Sequence, residues 1–219
     1  MATTMKAYRG IGMEGGMCRW YDRTTRKDMP EFKTLATRIA AMVPPAAQVL
    51  EIAPGPGFLS IELARRGLQV RAIDISETFV GIARQNAAAE GVPVQFEHGN
   101  ASDLSIAQES MDVVVCRAAF KNFSEPVKAL AEMRRVLRPG GTALIIDLRR
   151  DVSGAEIKRY ADGLGVNLLN TLLVRLTFRT TLIKRAYMVE EMNRMAMEAG
   201  WTNPRIESVP LGFEAWLKK

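Results

Sequence analysis

Two short stretches contain residues whose types and spacing suit ligand binding: Glu51-Ile-Ala-Pro-Gly-Pro-Gly57 and Val70-Arg-Ala-Ile-Asp74. In the first, glycines permit φ > 0 and the close approach of a ligand, whereas Pro54 and Pro56 remove two backbone N–H donors. The second is an apolar run ending in the carboxylate of Asp74, which is suitably placed to accept hydrogen bonds from ribose hydroxyls. A dinucleotide fingerprint would need a third glycine and free N–H groups facing a pyrophosphate. The two stretches therefore favour an adenosine ligand that carries no phosphate.

Elements predicted around these stretches alternate between strand and helix, which indicates an α/β fold. Ser76 is predicted to cap the helix that follows Asp74, and Ser124 to cap a later helix with Pro126 in its first turn. Arg138-Pro-Gly-Gly141 is predicted to form a stop before the fifth strand. The predicted strands are residues 48–52, 69–74, 94–97, 111–116, 142–147, 205–209 and 213–217. The other predicted helices are residues 30–42, 58–67, 77–89 and 188–199.

Three further stretches complete an ordered set: His98-Gly-Asn-Ala101, Asp112-Val-Val-Val-Cys116 and Val136-Leu-Arg-Pro-Gly-Gly141. In order and spacing, all five resemble the motifs of class I S-adenosylmethionine-dependent methyltransferases, over roughly residues 49–147. The resemblance implies a doubly wound, Rossmann-like seven-stranded sheet with an antiparallel C-terminal hairpin and helices on both faces. It also implies an enzyme whose cofactor is S-adenosylmethionine.

Roles for individual residues follow from this resemblance. Glu51 would reach the methionyl amino group, and Asp74 would hold the ribose. Ala53 stands where the family usually has its first glycine, and Asn100 stands where it commonly has an acidic residue at the adenine. Tyr21 could meet the methionyl carboxylate or the substrate, or only pack its segment onto the domain. The other residues predicted to bind the cofactor are Gly55, Gly57, Ile75, Ala101 and Cys116.

The loop after Cys116 is predicted to hold the acceptor. Its sequence, Arg117-Ala-Ala-Phe120, lacks the Asn/Asp-Pro-Pro-aromatic pattern of enzymes that methylate nucleobase amines, which argues against such a substrate. Arg117, Lys121 and Asn122 are predicted to bind substrate, with helix entry and surface contact as the alternative for the last two. The catalytic group stays unknown, with Asp147 and Arg117 as candidates, because methyl transfer needs a base only if the acceptor must lose a proton early.

The predicted domain organisation is an N-terminal flap and helix at residues 1–43 and a methyltransferase domain at residues 44–219. A helical lid insertion is predicted at about residues 148–187, so that the whole forms a single domain. Residues 164–185 begin with an apolar run and continue with arginines. They favour a lid, with a dimer contact or a helix lying on a membrane surface as the alternatives.

Composition limits the classes of partner. The 219 residues carry a net charge of +6, but basic and acidic residues are interleaved, which is typical of a solvated surface. No DNA partner is predicted, and the loop at Arg117 argues against RNA. Two cysteines make no disulfide framework and no metal site, and no apolar run reaches the length of a membrane span. With no signal peptide recognised, the expectation is a cytoplasmic monomer or homodimer that methylates a small lipophilic or polar-aromatic acceptor. The alternatives are an S-adenosylmethionine-binding protein without methyl transfer and an RNA methyltransferase.

Overall fold

The structure is a computed structural model that describes Tyr8, Arg9 and residues 12–163 and 183–219. The α-helices are α1 (Gly16–Thr25), α2 (Met29–Ala40), α3 (Phe58–Ala64), α4 (Glu77–Ala89), α5 (Pro126–Val136), α6 (Gly154–Gly163) and α7 (Val189–Glu198). The strands are β1 (Gln48–Ile52), β2 (Gln69–Asp74), β3 (Val94–His98), β4 (Met111–Arg117), β5 (Leu137–Leu148), β6 (Arg205–Val209) and β7 (Gly212–Lys218). Short 3-10 turns occupy Arg26–Asp28, Phe120–Asn122 and Ile183–Arg185.

The described strands form one seven-stranded sheet in the order β3-β2-β1-β4-β5-β7-β6. The strands from β3 to β5 pair in parallel, whereas β7 runs antiparallel to both β5 and β6. This arrangement confirms the predicted Rossmann-like sheet with its antiparallel C-terminal hairpin. Because β1, β2, β4 and β5 are parallel, their carboxyl ends meet at one edge, which is where open α/β sheets bind ligands.

Apolar side chains cover both faces of the sheet. One cluster joins Leu50 and Ile52 of β1 to residues of α5 and α7, among them Leu130 and Met192. A second cluster joins Val49 of β1 to residues of α2 and α3 on the other face. The central strands are therefore buried on both sides, as their near-continuous apolar sequences require.

Two predictions about local elements were wrong. Residues 138–141 do not stop a helix before the fifth strand, because β5 already begins at Leu137 and bends through Gly140 at φ 82°. A register shift between Met111 and Val113 of β4 accommodates the bend. Ser124 does not cap α5, whose N-cap residue is Glu125. Within the predicted N-terminal flap and helix, residues 16–25 form helix α1, and their role as a flap stays a prediction.

The predicted lid insertion is described only at its two ends. Helix α6 and the 3-10 turn at residues 183–185 pack on the turn between β6 and β7, through Ile157, Ile183 and Leu211. Residues 164–182, which include the predicted apolar run, lie outside the described residues. The division at residue 43 and the lid therefore stay predictions. Within the described parts of the chain, no helix is both long and apolar enough to cross a bilayer.

Candidate active site

In the turn between β1 and α3, residues 53–57, every backbone N–H is already hydrogen-bonded within the protein. The N–H of Ala53 donates to the Ile73 carbonyl at 2.8 Å, and the N–H of Gly57 donates to the Pro54 carbonyl at 3.0 Å. The Gly55 N–H donates to Asp74 Oδ2 at 3.0 Å, and the two prolines have no N–H. Each N–H of residues 53–57 is thus engaged within the protein. The turn suits a ligand that approaches the backbone without a phosphate to bind.

Asp74 lies at the carboxyl end of β2 and faces this turn. The side chain is buried, and besides the Gly55 N–H it accepts the Ser76 N–H on Oδ1 at 2.9 Å. Burial raises the pKa of Asp74, and these two backbone donors oppose the rise. A carboxylate oxygen can accept more than one hydrogen bond, so both oxygens retain capacity for ribose hydroxyls. The ribose contact of Asp74 stays a prediction, with which this position is compatible.

Glu51, on β1, is a second buried carboxyl at this edge with a raised pKa. Its side chain is 3% exposed and accepts a hydrogen bond from the Ser60 hydroxyl in the first turn of α3. Burial raises the pKa of Glu51 from 4.5 to about 7, although Ser60 and the positive charge of Arg117 oppose the rise. Desolvation of the charged form is the cause, and a cationic ligand nearby would reverse it. The contact between Glu51 and the methionyl amino group stays a prediction, with which this burial is compatible.

The residues predicted at the adenine lie after β2 and β3. Ile75 is an exposed apolar side chain, 40% accessible, directly after Asp74. Asn100 and Ala101 are half-buried, and Asn100 Oδ1 accepts the Ser102 N–H at 2.9 Å. One lone pair of that oxygen therefore remains for an adenine amino group. His98, the single histidine of the chain, contacts the Ile75 carbonyl through Nε2 at 3.1 Å.

Tyr21 on α1 lies beside the turn. Its ring meets Phe79 of α4 edge to face, with centroids 5.8 Å apart, and a Cβ added to Gly55 would stand 3.9 Å from it. Trp20, by contrast, is exposed. Burial raises the pKa of Tyr21 against the opposing charge of Arg117, so the hydroxyl stays a neutral donor. Packing and ligand contact, the two predicted roles of Tyr21, are both compatible with this position.

The loop after β4 contains the predicted acceptor residues. Arg117 donates to Glu31 Oε2 at 2.7 Å, and its guanidinium lies 4.6 Å from the centroid of the Phe32 ring. It also lies within electrostatic reach of Glu51 and Tyr21, since its charge opposes the raised pKa of each. Arg117 thus joins α2 to the centre of the predicted site.

Lys121 and Asp147 form a buried ion pair, which sequence reasoning had kept as two separate candidates. Lys121 Nζ donates to Asp147 Oδ1 at 2.8 Å and to the Ala118 carbonyl at 2.6 Å. The Lys121 N–H donates to Asp147 Oδ2 at 2.8 Å, and the Leu148 N–H donates to Asp147 Oδ1 at 2.7 Å. The side chains are only 7% and 1% exposed. The ammonium is therefore turned into the protein, and the pair holds the acceptor loop against β5.

Tyr8, Arg9 and Tyr187 reach this edge and were not among the predicted residues. Tyr8 forms an isolated β-bridge with Phe123, and Arg9 donates its N–H to the carbonyl of Asn122 at 2.7 Å. Arg9 Nη1 also donates to the Tyr187 hydroxyl at 3.2 Å. Burial raises the pKa of Tyr8, with Arg185 opposing and Asp74 and Asp147 adding to the rise. The one sequence signal for this group was Tyr8, an aromatic residue isolated in an N-terminal segment of small residues.

Cys116 lies at the end of β4, and its side chain is fully buried in the core. The other cysteine, Cys18, is equally buried and contacts the Ser76 hydroxyl at 3.7 Å. Among the described residues, no cluster of His, Cys, Asp and Glu could hold a metal ion. Because it is buried, Cys116 presents no exposed side-chain surface at the predicted cofactor site.

One groove among the described residues lies away from this edge. It has a volume of about 600 Å³ and lies between α1 and α4, lined mainly by polar side chains such as Arg19, Arg23, Glu77 and Gln85. None of the residues predicted to bind cofactor or acceptor lines it. The strand ends, where engaged carboxylates, glycines and aromatic rings meet, are the better candidate for chemistry.

Comparisons with known proteins agree with this geometry. Residues 50–145 match a family described as a methyltransferase domain. Demethylmenaquinone methyltransferase of Deinococcus radiodurans is 38% identical over 109 residues, which are 49% of this chain and 45% of that protein. A ubiquinone biosynthesis O-methyltransferase of Xanthomonas campestris is 33% identical over 117 residues, 53% of this chain and 48% of that protein. The chain therefore spans about half the length of these curated relatives.

A solved structure from Methanococcus maripaludis, provisionally assigned as an S-adenosyl-L-methionine-dependent methyltransferase, superposes with a TM-score of 0.78. It covers 96% of this chain and 95% of its own, at 22% identity, so the likeness shows the fold alone. The domain match and the sheet together confirm the predicted family and S-adenosylmethionine as that family's cofactor. Residues 50–145 therefore form a methyltransferase domain, and the sheet around it has the fold of the class I S-adenosylmethionine-dependent methyltransferases.

Proposed function

We propose that this protein transfers the methyl group of S-adenosylmethionine to a small, lipophilic or polar-aromatic acceptor. The observation that carries the proposal is the turn between β1 and α3, in which every N–H of residues 53–57 is engaged internally. Residues 53–57 therefore have no free N–H to donate to a pyrophosphate. The carboxylates of Glu51 and Asp74 flank this turn, and they complement the amino and ribose groups of a cationic adenosine cofactor.

The acceptor class is supported by two observations. Aromatic side chains surround the loop after β4, where Phe120 packs on Phe123 and Tyr187 at centroid distances of 5.4 Å and 5.7 Å. The two relatives described above have names that refer to menaquinone and ubiquinone compounds. An aromatic acceptor with polar substituents is compatible with both.

The protein's contribution to the reaction would be alignment. The cofactor supplies an activated methyl group on a sulfonium, and an acceptor atom attacks it in line. Glu51, the turn at residues 53–57 and Asp74 would fix the donor, while Arg117 and the rings around Phe120 would fix the acceptor. Holding two reactants in this way, and excluding water, supplies much of the rate enhancement. In the same proposal, residues 148–187 act as the lid that closes the site.

Titration calorimetry with S-adenosylmethionine, its demethylated product and NAD tests the cofactor. We expect micromolar binding of the first two and none of NAD. Asp74→Ala should weaken S-adenosylmethionine by about tenfold or more, because a hydrogen bond to a charged group contributes about 1.5–3 kcal/mol. Glu207→Gln, which removes a carboxylate from an exposed pair with Arg205 on β6, is the matched control and should leave affinity unchanged.

Formation of the demethylated product with a panel of phenols, amines and thiols tests methyl transfer itself. Turnover of a phenol supports the proposal. Binding of NAD alone would overturn it, because the turn would then accept a pyrophosphate after all. Tight cofactor binding without turnover of any acceptor would favour a binding protein. Steeply salt-dependent RNA binding would favour an RNA methyltransferase.

A further inference from the structure

Pro56 stands in the middle of the turn between β1 and α3, and its carbonyl is its only backbone hydrogen-bonding group. The flanking Gly55 and Gly57 adopt φ 55° and 82°, and glycine restricts the backbone less than any other residue. Outside the turn, the Pro56 carbonyl accepts a hydrogen bond from Asn86 Nδ2 of α4 at 2.9 Å. Asn86 therefore fixes where this intrinsically flexible stretch lies relative to α4.

The side-chain amide of Asn86 also fastens α1. Its Nδ2 donates to Asp22 Oδ1 at 2.9 Å, and its Oδ1 accepts a hydrogen bond from Arg26 Nη2 at 2.8 Å. Two acceptors, a carboxylate and a carbonyl, thus face the amide nitrogen, while a guanidinium donor faces the amide oxygen. Each atom of the amide has partners of the kind that it requires. One side chain thereby joins α1, α4 and the turn.

The ion pair beside Asn86 does not replace these contacts. Arg26 and Asp22 approach to 3.3 Å, but the Arg26 side chain is 52% exposed, and exposed ion pairs contribute little to stability. The Arg26 guanidinium also lies 5.2 Å from the centroid of the Phe58 ring, in the first residue of α3. The part-buried hydrogen bonds of Asn86 to Asp22 and Pro56 are therefore the firmer tie between α1 and the turn.

On the basis of the proposed function, we infer that Asn86 is a positioning residue for the cofactor. It orients the Pro56 carbonyl in the turn that would fix the donor, and it fastens α1, whose Tyr21 ring lies beside Gly55 of that turn. Asn86 acts through these neighbours and not by touching the cofactor. Its loss should release the turn and α1 together, so that cofactor affinity falls while the rest of the fold stays intact.

Asn86→Ala and its neighbour Gln85→Ala form a matched pair on α4. Gln85 is exposed, and no side-chain hydrogen bond joins it to the described part of the chain. Titration calorimetry with S-adenosylmethionine and its demethylated product measures affinity, and urea unfolding of the cofactor-free protein checks that both variants fold. We expect Asn86→Ala to weaken both ligands by about three- to tenfold, as for loss of a net hydrogen bond. Gln85→Ala should leave both affinities unchanged.

Limited trypsin digestion measures the docking of α1 in the absence of cofactor. Arg19 and Arg23 are exposed on α1, and cleavage after either residue requires the helix to open locally. When opening is fast relative to cleavage, the cleavage rate follows the population of the open form. Cuts after these two arginines, identified by mass spectrometry, should be about three- to tenfold faster in Asn86→Ala than in the wild type. Gln85→Ala should be cut at the wild-type rate.

Exchanging the amide and the carboxylate separates the two contacts of Asn86. In the double variant Asp22→Asn with Asn86→Asp, an amide again faces a carboxylate between α1 and α4, and Arg26 keeps an acceptor on α4. The Pro56 carbonyl, however, loses its donor and faces a carboxylate instead. We expect trypsin resistance close to that of the wild type, with an affinity for S-adenosylmethionine still weakened at least as much as in Asn86→Ala. A purely structural role in holding α1 would restore both together.

Two outcomes would overturn the inference. One is an affinity for S-adenosylmethionine that is the same in Asn86→Ala and Gln85→Ala, and the other is full affinity in the double variant, because the contact with Pro56 would then have no effect. Should Asn86→Ala not fold, the double variant supplies the comparison with the wild type. Failure of the wild type to bind S-adenosylmethionine would instead refute the proposed function, and the trypsin rates of the cofactor-free variants would still decide whether Asn86 fastens α1.

Discussion

Replacing Glu51 with Gln should stabilise the cofactor-free protein at high pH while weakening its affinity for S-adenosylmethionine. The carboxyl is 3% exposed on β1, and burial raises its pKa from 4.5 to about 7. Each unit of pKa difference between the folded and unfolded states corresponds to about 1.4 kcal/mol. Ionising Glu51 in the folded protein therefore costs about 3 kcal/mol of stability. Gln has nearly the same shape, never ionises and can still accept the Ser60 hydroxyl.

The sign of the pH dependence follows from the raised pKa. Below pH 4.5 Glu51 is protonated in both the folded and the unfolded state, so the favourable contribution is fully present. Between pH 4.5 and about 7 the unfolded state loses its proton first, and the free energy of unfolding of the wild type falls. The advantage of Glu51→Gln should thus be small at pH 4.5 and approach about 3 kcal/mol by pH 8.

Urea unfolding at pH 4.5, 6, 7 and 8 without cofactor measures this difference. Glu62→Gln is an informative comparison, because Glu62 is also buried but is paired with Arg65 and Arg66, which lower its pKa. Its loss should destabilise the protein at neutral pH. A Glu51→Gln effect that is equal at all four pH values would refute the reasoning. So would stabilisation accompanied by unchanged S-adenosylmethionine affinity, because Glu51 would then have no ligand to meet.

Three further predictions concern the support of the site. Lys121→Met should lower the free energy of unfolding by about 3–5 kcal/mol, because it leaves Asp147 buried and without its cation; a loss below about 1 kcal/mol in urea unfolding would contradict this. Ala53→Gly and Gly57→Ala should act in opposite directions in the same assay. Ala53 adopts φ 56°, where glycine removes about 1 kcal/mol of strain, whereas a Cβ at Gly57 would stand 2.8 Å from the Phe96 ring and should destabilise by about 3 kcal/mol. Cys18 and Cys116 should not react with a thiol reagent until the protein unfolds, because burial raises the pKa of both thiols; fast labelling of native protein would show that the strand ends open.

Local signals were sufficient to predict most elements around the site. The bounds of β1, β2 and α4 agree with the prediction, because short apolar runs, glycine turns and the Ser76 cap are encoded within a few residues. The predicted positions of Glu51 and Asp74 at neighbouring strand ends follow from the same pattern. Parallel strands bring their carboxyl ends together, whatever the intervening sequence.

Contacts between distant parts of the chain were not predictable in this way. The pair of Lys121 and Asp147 joins residues 26 positions apart, and nothing in either neighbourhood specifies the partner. Tyr8 reaches Phe123 across more than a hundred residues of sequence. Such contacts depend on how loops lie over the finished sheet, and a single sequence has no periodic signal for that.

The chain leaves strands β1 and β4 through the same strained, left-handed backbone conformation. Immediately after β1, Ala53 has φ 56° and donates its N–H to Ile73 of β2; immediately after β4, Ala118 has φ 60° and donates its N–H to Ile146 of β5. Left-handed backbone costs an alanine about 1 kcal/mol or more, and it persists only where the surroundings impose it. Here each alanine turns the chain sharply away from its strand, one into the predicted donor turn and the other into the predicted acceptor loop. Both strained exits therefore lie at the sheet edge where the donor turn and the acceptor loop are predicted, and each directs its loop away from the end of its strand.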